Sequence, residues 1–178
     1  MIRGAETRSV KTHGVSRHWA ADYIGKPWKV GCAGPETFDC WGLVVDVYRC
    51  LYGKRLSLIP VPENNLKALI QTFNSHPERQ HWEATLDPSE GDVALLRQSR
   101  YPIHVGLWVD VDGGGILHCI QGAGVVFQGL NALECMGWKV EAYYTYKGDT
   151  RDPRKSENSD QNHHPPQPLS VPSKCGDS

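Results

Sequence analysis

Phe38-Asp39-Cys40-Trp41-Gly42-Leu43-Val44-Val45-Asp46-Val47-Tyr48-Arg49-Cys50-Leu51-Tyr52-Gly53 is the stretch on which the rest of the chain turns. Asp39 is an N-cap residue, because its carboxylate can accept from the unpaired N–H groups of a first helical turn. Leu43, Val47, Cys50 and Leu51 fall near one face, and Gly53 suits the left-handed residue that ends a helix. The pattern predicts a helix over Cys40 to Tyr52 in spite of its valines, which disfavour one. A thiol in the first turn lies at the positive end of the helix dipole, among free N–H groups that favour a thiolate. Its pKa is expected to fall from about 8.5 toward ~3.5–7.5. The same groups suit the oxyanion of a tetrahedral intermediate. Cys40 is thus a candidate nucleophile, set against the ordinary reading of an intracellular cysteine as a small hydrophobe. That ordinary reading is the one we take for Cys50, Cys119 and Cys135.

Working outward, Ser16 to Ile24 offers a serine cap, helical apolar spacing and Gly25 as a stop, which predicts a short entry helix. Lys26 to Pro35 carries two prolines and two glycines and predicts an ordered loop leading to Asp39. Beyond a proline-bounded connector, Leu66, Leu69, Ile70 and Phe73 predict a helix over Asn64 to Phe73. The period then changes from helical to alternating. Residues 92–96, 103–109, 115–120, 125–127 and 139–144 are short, β-rich and separated by Gly or Asp signals, an antiparallel meander of four or five strands. Helices first and strands after predict an α+β domain with the helices on one face of the sheet. Residues 1–15 form a polar, unpatterned N-terminal segment, 16–147 the domain, and 148–178 a proline-rich tail expected to be disordered.

Two histidines interrupt the apolar strands. His104 lies in Ile103-His104-Val105-Gly106-Leu107-Trp108-Val109, where Gly106 leaves room for a close neighbour, and is a candidate general base. His118 follows in the next strand and is a candidate to orient the first imidazole. Each also has the plain reading of a satisfied structural histidine. If Asp110 pairs with Ile116, the two share a face but lie about four residues apart, ~10 Å or more. Asp92, after Gly91, reads as a turn cap.

Nineteen Lys+Arg against twenty Asp+Glu, a net charge of −1 and a pI near 6.7 provide no field to draw in nucleic acid or an anionic membrane. No apolar run approaches the ~18–20 residues of a membrane helix, and the N-terminus lacks the apolar core of a secretory signal. Synthesis in the cytoplasm without membrane insertion is therefore expected. Six cysteines are an even count, but the chain is too rich in core residues to need a disulfide framework. Without C-x-x-C or H-x-x-x-H spacing, no metal and no cofactor is expected.

Over roughly Trp19 to Tyr146 these features together resemble the NlpC/P60 cysteine peptidases, papain-like enzymes that cut the peptide stems of bacterial cell walls. Phe38-Asp39-Cys40-Trp41-Gly42-Leu43-Val44 is similar to the family's Asp-Cys-Ser-Gly-Leu/Phe-Val motif. His104-Val105-Gly106-Leu107-Trp108 resembles its His-Val-Gly-Ile-Tyr strand, and Ile116-Leu117-His118-Cys119 its strand ending in His-Ala. Gly91-Asp92-Val93 fits its Gly-Asp-Leu. The resemblance implies a papain-like fold with the nucleophile helix packed on an antiparallel sheet of about five strands. It implies Cys40 as nucleophile, His104 as base and His118 as orienting residue. It also implies a substrate or oxyanion role for Trp28, where the family usually has a tyrosine, and for Asp39 an amine-binding role that ranks behind capping. Cys32 stands where glycine is usual, which admits a Cys32–Cys40 bond, and Trp41 stands where serine is commonest.

The Tyr23-Ile24-Gly25-Lys26-Pro27-Trp28 run and the Tyr-rich helix look especially like the phage tail-associated subset. That likeness implies a virion tail-tip protein acting on peptidoglycan stem peptides, with other tail-tip proteins as partners. Two alternatives stand beside it: a tail structural or assembly subunit with an impaired site, and an acyl-transfer enzyme on the same scaffold.

Overall fold

A helix that begins with a cysteine and carries three valines forms here because both ends are closed and one face is buried. In the computed structural model, which describes residues 17–59, 77–98, 100 and 102–147, α1 spans Cys40–Tyr52. Asp39 caps its start, and Gly53, at φ 62°, ends it with its N–H on Tyr48 O. Leu43, Val44, Val47 and Tyr48 are buried, and this packing outweighs the weak helix propensity of the valines. On the far side, the Tyr23 hydroxyl donates to Asp46 Oδ2 at 3.1 Å, and Arg49 pairs with Asp46 from the next turn. The buried Asp46 carboxylate thereby ties the entry segment to α1.

That entry segment is a single 3-10 turn, Trp19–Asp22, instead of the longer helix expected from Ser16 to Ile24. His18 caps it through its ring nitrogen, and Trp19 is held by a Trp19 Nε1 to Glu90 bond of 2.7 Å. Those anchors end the helix early, before Tyr23 turns toward Asp46. The predicted helix over Asn64 to Phe73, and the segments 1–15 and 148–178, lie outside the described residues.

Six strands, among the described residues, form one antiparallel sheet: β1 (Trp82–Thr85), β2 (Val93–Arg97), β3 (Pro102–Val109), β4 (Gly115–Ile120), β5 (Gly124–Gly129) and β6 (Lys139–Tyr146). Their order is β1-β6-β2-β3-β4-β5. The expected meander holds for β2 to β5. It breaks where β6 returns across the sheet to pair with β2, so that Val93 faces Tyr144. β1 was not anticipated, since Trp82-Glu83-Ala84-Thr85 has little β pattern. It exists through its pairing with β6, and Trp82 makes edge contacts with Tyr48 and Tyr146.

The helices do not share one face. Val93, Leu95, Val105, Leu107, Leu117 and Cys119 pack with the α1 residues, whereas Ala94, Leu96 and Ile116 pack with Leu133 and Trp138. Leu133 belongs to a short unpredicted helix, α2 (Leu130–Cys135), that follows β5 directly. Central strands covered on both faces read as continuous apolar runs, which is why Val93-Ala94-Leu95-Leu96 shows no alternation. Asp92 caps as expected: Oδ2 accepts from Ser89 N–H at 2.8 Å and from the Thr145 hydroxyl at 3.0 Å.

Candidate active site

Cys40 is the first residue of α1, half-buried and a free thiol, so the Cys32–Cys40 bond is not formed. Its position is set by a loop laced to the residues just before it. Phe38 N–H donates to Pro27 O (3.0 Å), Lys29 N–H to Phe38 O (2.9 Å), and Asp39 N–H to Cys32 O (2.8 Å). Asp39 completes the lacing with both oxygens, Oδ1 accepting from Gly42 N–H at 2.6 Å and Oδ2 from Gly31 N–H at 2.8 Å. Capping thus accounts for the carboxylate. Gly42 is required for a different reason: a Cβ there would lie 2.0 Å from Cys32 O, so the loop can cross the first turn only over glycine.

The electrostatics differ from the expectation for a helix N-terminus. Burial, and next the Asp39 carboxylate, push the Cys40 thiol up to about 12, while the N–H groups of Val105, Trp41 and Cys40 itself pull the other way. Desolvation of a thiolate outweighs those few dipoles, so the resting group is a thiol, not the thiolate anticipated. Cys119, whose sulfur donates to Phe38 O at 3.2 Å, is likewise pushed up to about 12 by burial, so its thiol rests protonated in the core.

The histidines meet through a register that differs by two residues from the one considered above. Gly106 pairs with His118 and Trp108 with Ile116, so His104 is the diagonal neighbour of His118 on one face. Diagonal positions lie ~7–8 Å apart by Cα, within reach of two imidazoles. Gly106 opens the space between them, because a Cβ there would sit 2.5 Å from Ile116 Cγ2 and 2.9 Å from His118 Cβ. The outcome is a bond of 2.9 Å between His104 Nε2 and His118 Nδ1.

Two residues of this cluster escaped the sequence reading. Gln128 on β5 faces His118, its Oε1 lying 2.8 Å from His118 Nε2. The available signal was a polar residue in a hairpin strand, meaningful only once Ile116 is known to pair with Gln128. Trp138 packs on both rings, with centroids 4.7 Å from His104 and 6.2 Å from His118. Burial, then the neighbouring His118, lower the His104 pKa to about 3; burial lowers that of His118 too, against the Gln128 bond. Both rings are neutral near pH 7.

The structure therefore joins His104, His118 and Gln128 directly and sets Cys40 against the backbone N–H of Val105, the residue after His104. Trp28 stands at a parallel bridge to Phe38, two residues before Cys40, and packs half-buried against the core. Trp41 is not part of the cluster: its indole N–H donates to Ser57 O at 2.8 Å and its ring meets Trp82. No group of three or more potential metal ligands occurs among the described residues, and none of their helices is long and apolar enough to cross a membrane.

Compared with solved structures, the chain is similar to NlpC2 and NlpC1 from Trichomonas vaginalis, each at 19% identity and TM-score 0.50 over 71% of this chain. It spans less than half of either, 45% and 42%. The NlpC/p60 domain of the peptidoglycan hydrolase SagA matches at 22% identity and TM-score 0.46, over 70% of this chain and 91% of that one. Among curated proteins no match is found. The NlpC/P60 family model itself matches residues 25–152, a span that takes in the loop, α1, the whole sheet and every residue of the cluster, and the chain belongs to the NlpC/P60 family.

Proposed function

We propose that the chain is a thiol peptidase that hydrolyses peptide stems of bacterial peptidoglycan, with Cys40 as nucleophile, His104 as base and His118 as the residue that orients it. The observation that carries this reading is the 2.9 Å bond between the two imidazoles, beside a strand whose Val105 N–H faces a free thiol at a helix start. Family membership supports the substrate class.

Because thiol and imidazole both rest neutral, proton transfer accompanies attack. His104 takes the Sγ proton as sulfur bonds to the scissile carbonyl carbon and the C=O electrons move to oxygen. The Cys40 backbone N–H and the Trp28 indole N–H are the donors proposed for that oxyanion. The electrons return, the C–N bond breaks, and His104 gives its proton to the departing amine, leaving a thioester. Water, deprotonated by His104, then attacks the thioester carbonyl; the C–S bond breaks, the acid leaves, and the proton on His104 passes to sulfur and restores the thiol.

Within this reading the protein works as a phage tail-tip component, supported by the likeness of Tyr23 to Trp28 and Asp39 to Val44 to the tail-associated subset. The alternative of an impaired structural subunit draws on Trp28 and Trp41, which stand where the resembled family usually has tyrosine and serine. The Trp41 side chain serves the scaffold instead, which leaves Trp28 alone in its favour. Mass spectrometry of peptidoglycan and stem peptides incubated with the protein and with Cys40→Ala tests the proposal. Discrete peptide fragments are expected from the unsubstituted protein alone. Equal products from both, or none from either folded protein, would overturn it.

A further inference from the structure

We infer that Gln128 is a positioning residue: its side-chain oxygen selects the tautomer of His118 and, through it, that of His104. The consequence for turnover rests on the peptidase reading above, whereas the tautomers do not.

The argument is a count of donors along one line of atoms. A neutral imidazole has one N–H and one bare nitrogen. Gln128 Oε1 is only an acceptor, so at 2.8 Å His118 Nε2 must carry the hydrogen. His118 Nδ1 is then bare, and the 2.9 Å contact with His104 Nε2 requires the hydrogen on His104 Nε2. His104 Nδ1 is left bare, and it is the only ring nitrogen not spent within the line. The next residue on its strand, Val105, turns its backbone N–H to the Cys40 thiol, so the strand that carries this ring runs beside the nucleophile. The base thus has its lone pair free for the Cys40 proton. Trp138 packs on both rings of the line, its centroid 4.7 Å from His104 and 6.2 Å from His118.

Reversing one amide reverses everything. With the NH2 group of Gln128 toward His118, His118 would carry its hydrogen on Nδ1 and His104 on Nδ1, and the base would present a donor to the thiol. Gln128 therefore decides whether the pair is a base at all, from two hydrogen bonds away.

Nitrogen-15 NMR of the imidazole rings in the full chain near pH 7 reads the tautomers with no need of substrate. Both His104 and His118 are expected to carry hydrogen on Nε2, with Nδ1 bare. Hydrogen on Nδ1 of either ring overturns the inference. Gln128→Glu, which can only accept, is expected to keep that pattern. Gln128→Leu is expected to mix the tautomers, and an unchanged pattern in a folded Gln128→Leu overturns the role of Gln128. In stem-peptide hydrolysis Gln128→Leu is expected to lower kcat about ten- to a hundredfold, the rate equivalent of one buried hydrogen bond, with KM little changed and with Gln128→Glu restoring part of the loss. If the unsubstituted protein hydrolyses nothing, the peptidase reading fails while the spectra still decide the tautomers.

Discussion

The two halves of the candidate site are held by different means. Cys40 is placed by its neighbours in sequence: Asp39 caps the turn, Gly42 lets the loop cross it, and Gly53 closes the helix thirteen residues on. The histidines are placed by sheet register, His104, His118 and Gln128 coming from three strands whose pairing brings them into line. A locally built half should break through its cap and crossing point, and a register-built half through the spacing between strands.

The largest effect is expected on the local half. Gly42→Ala places a methyl 2.0 Å from Cys32 O, a backbone atom that cannot rotate away, so loop and helix start must part. A loss of about 3 kcal/mol or more is expected, the upper range for overpacking, read as the shift in urea midpoint. Gly106→Ala sharpens the contrast from the other side. Its methyl would meet Ile116 Cγ2 at 2.5 Å and Leu117 O and His118 Cβ at 2.9 Å. About 2 kcal/mol is expected, together with loss of the bond between the imidazoles, visible in the same ring-nitrogen spectra. A Gly106→Ala protein with unchanged histidine spectra would show that register alone does not hold the pair.

This contrast also explains what could be read beforehand. Helix α1 was legible because cap, stripe and stop lie within sixteen consecutive residues, 38–53. His104 and His118 were legible as polar interruptions of apolar strands, and their contact was not, since a two-residue change in register turns separation into a 2.9 Å bond. Gln128 and Trp138 acquire meaning only from pairings between distant segments. The β6 crossover escaped for the same reason: nothing in Lys139 to Tyr146 says that its partners are Val93 and Trp82. The expectation of a thiolate at Cys40 failed differently, because sequence shows a helix start but not how much solvent the surrounding loop removes.

Acid should weaken the register-built half first. The folded-state pKa of His104 lies near 3 and that of His118 is also lowered, so between pH 6.5 and 3 the unfolded chain binds protons that the folded chain refuses. Stability is therefore full above the unfolded value of ~6.5 and declines as pH falls below it. For His104 alone the loss between pH 7 and pH 5 comes to about 2 kcal/mol. The urea midpoint should fall over that interval, and His104→Gln should flatten the fall. A midpoint independent of pH from 7 to 5 would mean that the rings accept protons in the folded state.

The smallest effect separates scaffold from chemistry at one position next to the nucleophile. The Trp41 indole donates to Ser57 O at 2.8 Å and packs edge-on to Trp82. Trp41→Phe keeps an aromatic ring and removes the donor, so about 1 kcal/mol of stability should be lost, the net worth of one hydrogen bond. The backbone N–H of residue 41, which acts on the Cys40 sulfur, is untouched. Hydrolysis of stem peptides by Trp41→Phe should therefore match the unsubstituted protein within about twofold while its melting temperature drops, by roughly 2–4 °C if the chain melts like other domains of this size. A fall in kcat without a fall in melting temperature would instead place the indole at the substrate, and would make the serine-to-tryptophan difference in the motif a matter of specificity.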